Sequence, residues 1–157
     1  LICNALLCVL PRRPAWEEIV ADPTLIRNAV EEILRFESSQ ISWRRITTKP
    51  AEIGEWKLPP DAKIFLNFAS ANRDASVFED PDSFDIHRSN ANQHISFGKG
   101  VHFCLGTHLA RLEVSIVLEA LAERVPSIRL APNQDLRFFP NITFRGPEEM
   151  RVEWDRE

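Results

Sequence analysis

The sequence has no long run of apolar residues and no dense block of lysine and arginine. Its most apolar segment, residues 1–10, is about half as long as a membrane-spanning helix, and it lacks the charged start and small-residue cleavage site of a secretory signal. The chain has 19 basic and 23 acidic residues, which give a net charge of −4. We therefore expect neither a membrane nor a nucleic acid as a partner.

Cysteine is also scarce, with only three residues in the chain. An odd number without secretory features argues against a disulfide framework and favours a reducing compartment, so we predict a cytoplasmic protein. The 11 prolines are dispersed, and no repeat or internal domain boundary is visible among the 157 residues. We therefore expect one domain over residues 1–157, and because the first residue is leucine, a partial one.

The pattern of apolar residues predicts a mainly helical fold with minor β-structure. Helices are predicted at residues 1–10, 14–20, from the cap Asp22-Pro23 to about residue 36, and at 105–124. Short strands are predicted within residues 41–68 and at 136–139, 142–144 and 150–154, and an ordered meander at 72–96. The last helix is expected to bury a single apolar stripe. Its members are Leu105, Leu109, Leu112, Ile116, Val117, Ala120 and Leu121.

The most informative segment reads Phe-Gly-Lys-Gly-Val-His-Phe-Cys-Leu-Gly, residues 97–106, directly before that helix. Gly98 and Gly100 permit backbone angles closed to other residues and let a large flat ligand approach the main chain. Cys104 falls near the first turn of a helix, where free amides and the helix dipole stabilise a thiolate. Such a thiolate suits axial ligation of haem iron, where it favours O–O bond cleavage.

This segment matches the pattern F-x-x-G-x-[H/R]-x-C-x-G at every fixed position and resembles the cysteine-ligand loop of cytochrome P-450, of the soluble bacterial type. The resemblance implies haem b as cofactor, Cys104 as the axial ligand of its iron, a shielding role for Phe97 and a hydrogen bond from His102 to a haem carboxylate. The implied cofactor-binding residues are Arg45, Phe97, Gly98, Gly100, His102, Cys104 and Gly106.

A second, independent motif lies upstream of that segment. Glu32 and Arg35 are three residues apart, so both side chains project from one helix face. Their context resembles the E-x-x-R helix of the same family, in which the pair is buried, and Arg88 matches the position of the third member. The resemblance implies a structural role for these three residues. Of the neighbours Arg44 and Arg45, which point to opposite faces of a strand, Arg45 better matches the haem-propionate arginine.

The resemblance implies a monooxygenase that inserts one oxygen atom of O₂ into a small organic substrate. It also implies an electron-transfer partner, a ferredoxin or a flavoprotein, which we expect to dock near Lys99 and Arg111 if it is negatively charged. The substrate pocket is expected to include residues 38–43. In the family, the oxygen-activating acid-alcohol pair would lie before Leu1. We therefore expect the chain alone not to be a competent monooxygenase, and no catalytic residue is assigned within it beyond the haem ligand.

Two alternatives remain open. The first is a small structural zinc module, because His94, His102, Cys104 and His108 occur within fifteen positions. The second is a non-functional truncated fragment that exposes apolar surface and self-associates.

Overall fold

A computed structural model describes residues 1–155 of the chain. Its helices are α1 (Ile2–Val9), α2 (Arg13–Ala21), α3 (Ile26–Phe36), α4 (Phe68–Ala71) and α5 (Thr107–Arg124). Its strands are β1 (Ser42–Ile46), β2 (Ala51–Ile53), β3 (Trp56–Leu58), β4 (Lys63–Asn67), β5 (Arg129–Leu130) and β6 (Val152–Glu153). The predicted class, mainly α with minor β, is confirmed. No helix among the described residues has the length and apolar character needed to cross a bilayer.

The core lies where α1, α3 and α5 pack together, with α2 closing one side. The apolar residues of α3 recur every three or four positions, so they form one stripe that is removed from water. Its buried apolar members are Ile26, Ala29, Val30, Ile33 and Leu34. In α2, the buried Trp16 donates its indole N–H to the carbonyl of Pro126 at 2.8 Å, which ties this helix to the end of α5.

The predicted apolar stripe of α5 is largely wrong in its orientation: Leu121 packs against the core, but most of the stripe does not. This helix buries Val114, Leu118 and Ala122, whose spacing of four residues gives a narrow face toward the core. Leu109 and Ile116, by contrast, are 60% and 52% exposed. The sequence periodicity correctly indicated an apolar face on α5, but within the described residues the core packs against a different face of this helix.

The strands form three two-stranded antiparallel pairs, β1 with β4, β2 with β3, and β5 with β6. In the first pair Arg45 lies opposite Ile64. The strands predicted at residues 136–139 and 142–144 are absent from the described chain, which has only isolated bridges there, from Phe138 to Pro147 and from Gln40 to Phe144. These segments lack a partner strand long enough to form a ladder.

The cap at Asp22 is confirmed, but it opens a 3₁₀ turn, Pro23–Leu25, rather than α3 itself. The carboxylate of Asp22 accepts the N–H of Thr24 at 3.0 Å. α5 likewise begins later than predicted, at Thr107, which leaves residues 97–106 as a loop between the meander and this helix.

Candidate functional site

The loop of residues 97–106, here called the Cys104 loop, folds back on itself. Gly98 and Gly100 have φ angles of +73° and +80°, a region that L-residues with side chains adopt only with strain. The N–H of Cys104 donates to the carbonyl of Phe97 at 3.0 Å. At the other end, the hydroxyl of Thr107 donates to the carbonyl of Cys104 at 2.6 Å. The main chain around the sulfur is therefore held from both sides.

The Cys104 side chain lies at the surface rather than among aliphatic neighbours. Val101 and Leu105 beside it are 98% and 100% exposed. A Cβ atom added to Gly106 would lie 3.8 Å from Cys104 Sγ, which is an ordinary van der Waals contact. A thiol and apolar side chains thus present one open surface, as expected of a site that receives a large apolar ligand.

Cys104 contributes to a cavity of about 390 Å³ between the Cys104 loop, β1 and the start of α4. The lining residues are Gln40, Trp43, Arg45, Phe68, Phe97, Gly98, His102 and Cys104. Five of the seven predicted cofactor-binding residues therefore share one cavity, while Gly100 and Gly106 shape the loop beside it. Arg45 faces this cavity, whereas Arg44 lines a different groove with Trp43. The residues that line the Cys104 cavity thus combine the sulfur of Cys104, the hydrogen-bonding groups of Arg45 and His102, and aromatic rings.

The predicted trio of Glu32, Arg35 and Arg88 forms one buried network. Both oxygens of the Glu32 carboxylate accept from the Arg35 guanidinium at 2.7 Å, and both side chains are fully buried. Arg88 Nε also donates to Glu32, at 3.3 Å. A buried ion pair is stable only when its remaining donors find acceptors.

The meander supplies those acceptors. Arg35 donates to the carbonyls of Asn72, Pro81 and Ser83 at 2.8–3.0 Å. Arg88 in turn donates to the carbonyl of Glu79 at 2.6 Å. The network therefore fixes the meander to α3 and has no group directed toward the Cys104 cavity, as fits a structural role.

Asn72 and Ser96, at the two ends of the meander, form a second connection that the sequence did not reveal. The amide of Asn72 donates to Ser96 Oγ at 2.7 Å, and Ser96 Oγ donates to the carbonyl of Leu34 at 2.6 Å. Both residues are buried. No spacing rule indicates this contact, because the partners are 24 and 62 residues apart.

Glu31 is a further residue that sequence reasoning missed. Its carboxylate accepts from Arg111 Nε at 2.5 Å and Nη2 at 2.8 Å, and from His94 Nε2 at 3.2 Å. Burial alone would raise the pKa of Glu31, but the hydrogen bonds from Arg111 and His94 and the positive charge of Arg111 outweigh it and lower the pKa to about 2. Arg111 is therefore paired with Glu31 and remains 30% exposed, and docking of a redox partner near Arg111 stays a prediction. Lys99 is exposed.

The zinc interpretation has no geometric support. Among residues 1–155, no group of three or more His, Cys, Asp or Glu side chains lies close enough to hold a metal ion. His94 is bonded to Glu31, and His108 lines a separate groove between α3 and α5. His102 and Cys104 share the Cys104 cavity, but the other two candidate ligands lie elsewhere, so the four do not form one site.

Comparison with known proteins gives a consistent result. Residues 9–125 match the family model described as Cytochrome P450. The chain is 45% identical to cytochrome P450 105A3 of Streptomyces carbophilus over 85% of its own length and 33% of that protein. It is 42% identical to the steroid C26-monooxygenase of Mycolicibacterium smegmatis over 92% of its length and 36% of that protein. The CYP116B5 heme domain of Acinetobacter radioresistens superimposes with a TM-score of 0.95 at 41% identity, covering 98% of this chain and 37% of that one.

Proposed function

Because the chain belongs to the cytochrome P450 family, we propose that it forms the haem-thiolate side of a monooxygenase that inserts one atom of O₂ into an organic substrate. It corresponds to the C-terminal part of the family's domain and spans about a third of the length of the curated relatives it matches. The observation that carries the proposal is the exposed Cys104, which shares a cavity with Arg45 and His102.

Haem b is the cofactor of this family, and the residues present fit it. Cys104 Sγ is a soft ligand on an open surface, and Gly98 and Gly100 leave the main chain free of side chains where a macrocycle approaches. Arg45 and His102 are the groups that would bind the two carboxylates of haem. A haem bound through a thiolate supplies oxygen activation, because the sulfur increases electron density on the iron.

This proposal is tested by reconstituting the chain with haemin and recording the spectrum of the ferrous carbon monoxide complex. Ligation by the Cys104 thiolate is expected to give the red-shifted band that distinguishes haem-thiolate proteins from those with a nitrogen ligand. A spectrum without that band would contradict the proposed function.

Arg45 permits a sharper test because its neighbour Arg44 is a matched control. Arg45→Leu is expected to weaken haemin binding about 10- to 100-fold, since a charge-assisted hydrogen bond contributes roughly 1.5–3 kcal/mol. Arg44→Leu removes the same charge from the opposite face of β1 and is expected to change the affinity less than about twofold. The measurement is a haemin titration followed by absorbance. Equal losses in both variants would indicate a general charge effect and refute the role of Arg45.

The substrate side is proposed to include the aromatic residues next to the cavity. Trp43 lines the Cys104 cavity and an adjoining groove, and its ring lies 6.4 Å from that of Phe144 in an edge-to-face arrangement. Gln40 lies beside it on the cavity wall. This arrangement favours a small, largely apolar substrate.

The remaining assignments also stay proposals. Electrons would come from a ferredoxin or a flavoprotein, with Lys99 as an exposed cation on the Cys104 loop. A cytoplasmic location is consistent with three cysteines that are all free in the described chain. Residues 1–157 are proposed to be part of one domain, whose oxygen-activating groups lie outside this chain.

The exposed apolar face of α5 supports the proposal that residues 1–157 are only part of a domain. Leu109, Leu112 and Ile116 are 60%, 55% and 52% exposed, and Leu105, in the loop just before α5, is fully exposed. Apolar surface of this kind is normally covered. We propose that the part of a full-length domain that the relatives have beyond the matched region covers it.

The chain by itself is therefore expected to self-associate through this face. Leu109→Ser combined with Ile116→Ser should reduce the weight-average mass measured by sedimentation. Burial of apolar surface between copies contributes about 25 cal/mol per Å² to the free energy of association, and the two substitutions remove part of that surface. The control is Glu119→Ser, an exposed polar position on the same helix. A wild-type chain that sediments as a monomer at every concentration would contradict this prediction.

A further inference from the structure

Glu31 lies on α3, and its carboxylate contacts both α5 and the segment that leads into the Cys104 loop. Its side chain is only 15% exposed. The two oxygens are shared between the guanidinium of Arg111, which binds in a two-pronged manner, and the imidazole of His94. Three distant parts of the sequence thus converge on one charged group.

The hydrogen bonds fix the tautomer of His94. Its Nδ1 accepts the backbone N–H of Ser96 at 3.2 Å, so Nδ1 carries no proton in the neutral ring. The proton is then on Nε2, which donates to Glu31. Because the His94 side chain is 2% exposed, this ring has little freedom to rotate away.

Both partners of Glu31 contact the ring of Phe97. The guanidinium carbon of Arg111 lies 4.8 Å from the centre of that ring, within cation–π range. The ring of His94 lies 5.7 Å from it at an interplanar angle of 56°. Phe97 in turn accepts the N–H of Cys104 through its carbonyl.

We infer that Glu31 is a positioning residue for Cys104: by holding Arg111 and His94 against Phe97, it fixes the residue whose carbonyl binds the Cys104 amide. The inference rests on the proposed haem-ligand function of Cys104. Glu31 itself touches neither the sulfur nor the cavity. Groups that orient a metal ligand from outside its first contacts commonly change metal affinity 10–100-fold when they are replaced.

The first test needs no haem. In the 157-residue chain, Glu31→Gln keeps the shape of the side chain but removes its charge and one acceptor oxygen. Hydrogen exchange of the Cys104 amide, followed by NMR, is expected to accelerate about tenfold because the contact with Phe97 opens more often. Amides of the β1–β4 pair are an internal reference and are expected to be unchanged. Glu123→Gln, an exposed carboxylate on α5, is the matched control.

The second test uses the haemin-loaded chain. Glu31→Gln is expected to weaken haemin affinity about tenfold and to shift the reduction potential, whereas Glu123→Gln leaves both unchanged. Arg111→Lys, which keeps the charge but loses the two-pronged geometry, is a milder variant should Glu31→Gln fail to fold. Its Cys104 amide should also exchange faster. The double variant Glu31→Gln, Arg111→Lys should be no worse than the stronger single variant, because both act through one contact.

The outcomes separate the two proposals. Unchanged exchange at Cys104, or an equal acceleration of the β1–β4 amides, would overturn the positioning role, since the effect would then be absent or global. A wild-type chain that shows no thiolate band with haemin would overturn the proposed function, while the exchange experiment on the Cys104 amide would still report on Glu31.

Discussion

Cys104→Ala is expected to abolish the red-shifted ferrous carbon monoxide band of the haemin-loaded chain, the largest effect expected of any single substitution. Cys104 is the only thiol among the residues that line the cavity, and the imidazole of His102 would not supply the same electron donation to a bound iron. The measurement is the difference spectrum of the reduced protein with and without carbon monoxide.

Cys3 provides the matched control for this experiment. It is exposed, as Cys104 is, but it lies on α1 and outside the cavity. Cys3→Ala is expected to keep the wild-type band with full intensity. If the thiolate band survived in Cys104→Ala and disappeared in Cys3→Ala, the iron ligand would be Cys3, and the proposed site would be refuted.

Arg35→Met is expected to destabilise the chain by about 3–5 kcal/mol, because it leaves the fully buried carboxylate of Glu32 without its main partner. A loss of that size is comparable with the total stability of many domains, which is about 5–15 kcal/mol. The measurement is the free energy of unfolding from urea titration, read from the midpoint and the slope.

Two further variants make the result decisive. Arg137→Met removes an arginine whose ion pair with Asp135 is largely exposed, and it should cost less than about 1 kcal/mol. Arg35→Lys keeps the charge but loses several of the hydrogen bonds to the meander, so its stability should fall between those of Arg35→Met and the wild type. If Arg35→Met and Arg137→Met had similar free energies of unfolding, the buried network would not have the stabilising role assigned to it.

The local motifs were the most predictable part of the molecule. Residues 97–106 carry their geometry in the sequence, because the positive φ angles at Gly98 and Gly100 favour glycine. Glu32 and Arg35 are similarly readable, since a separation of three residues in a helix brings two side chains together. In both cases the interacting residues are neighbours along the chain.

Contacts between distant segments were not predictable from these patterns. Glu31 meets His94 and Arg111 across separations of 63 and 80 residues, and no periodicity links such positions. The predicted burial of the α5 stripe was wrong for a related reason. Leu109 and Ile116 form an apolar face, but helical spacing alone does not indicate which face of a helix packs against the core. The strands predicted at residues 136–139 and 142–144 are wrong because a strand forms only against a partner strand, and these segments make only isolated bridges.

Glu31 and Glu32 are consecutive residues of α3, and they hold different parts of the protein. Neighbouring residues in an α-helix differ in direction by about 100°, so one carboxylate reaches Arg111 and His94 while the other reaches Arg35 and Arg88. Inserting a single residue between them would turn one carboxylate away from its partners, whichever half of the helix shifted. The length of α3 at this point is thus constrained by two separate sets of contacts.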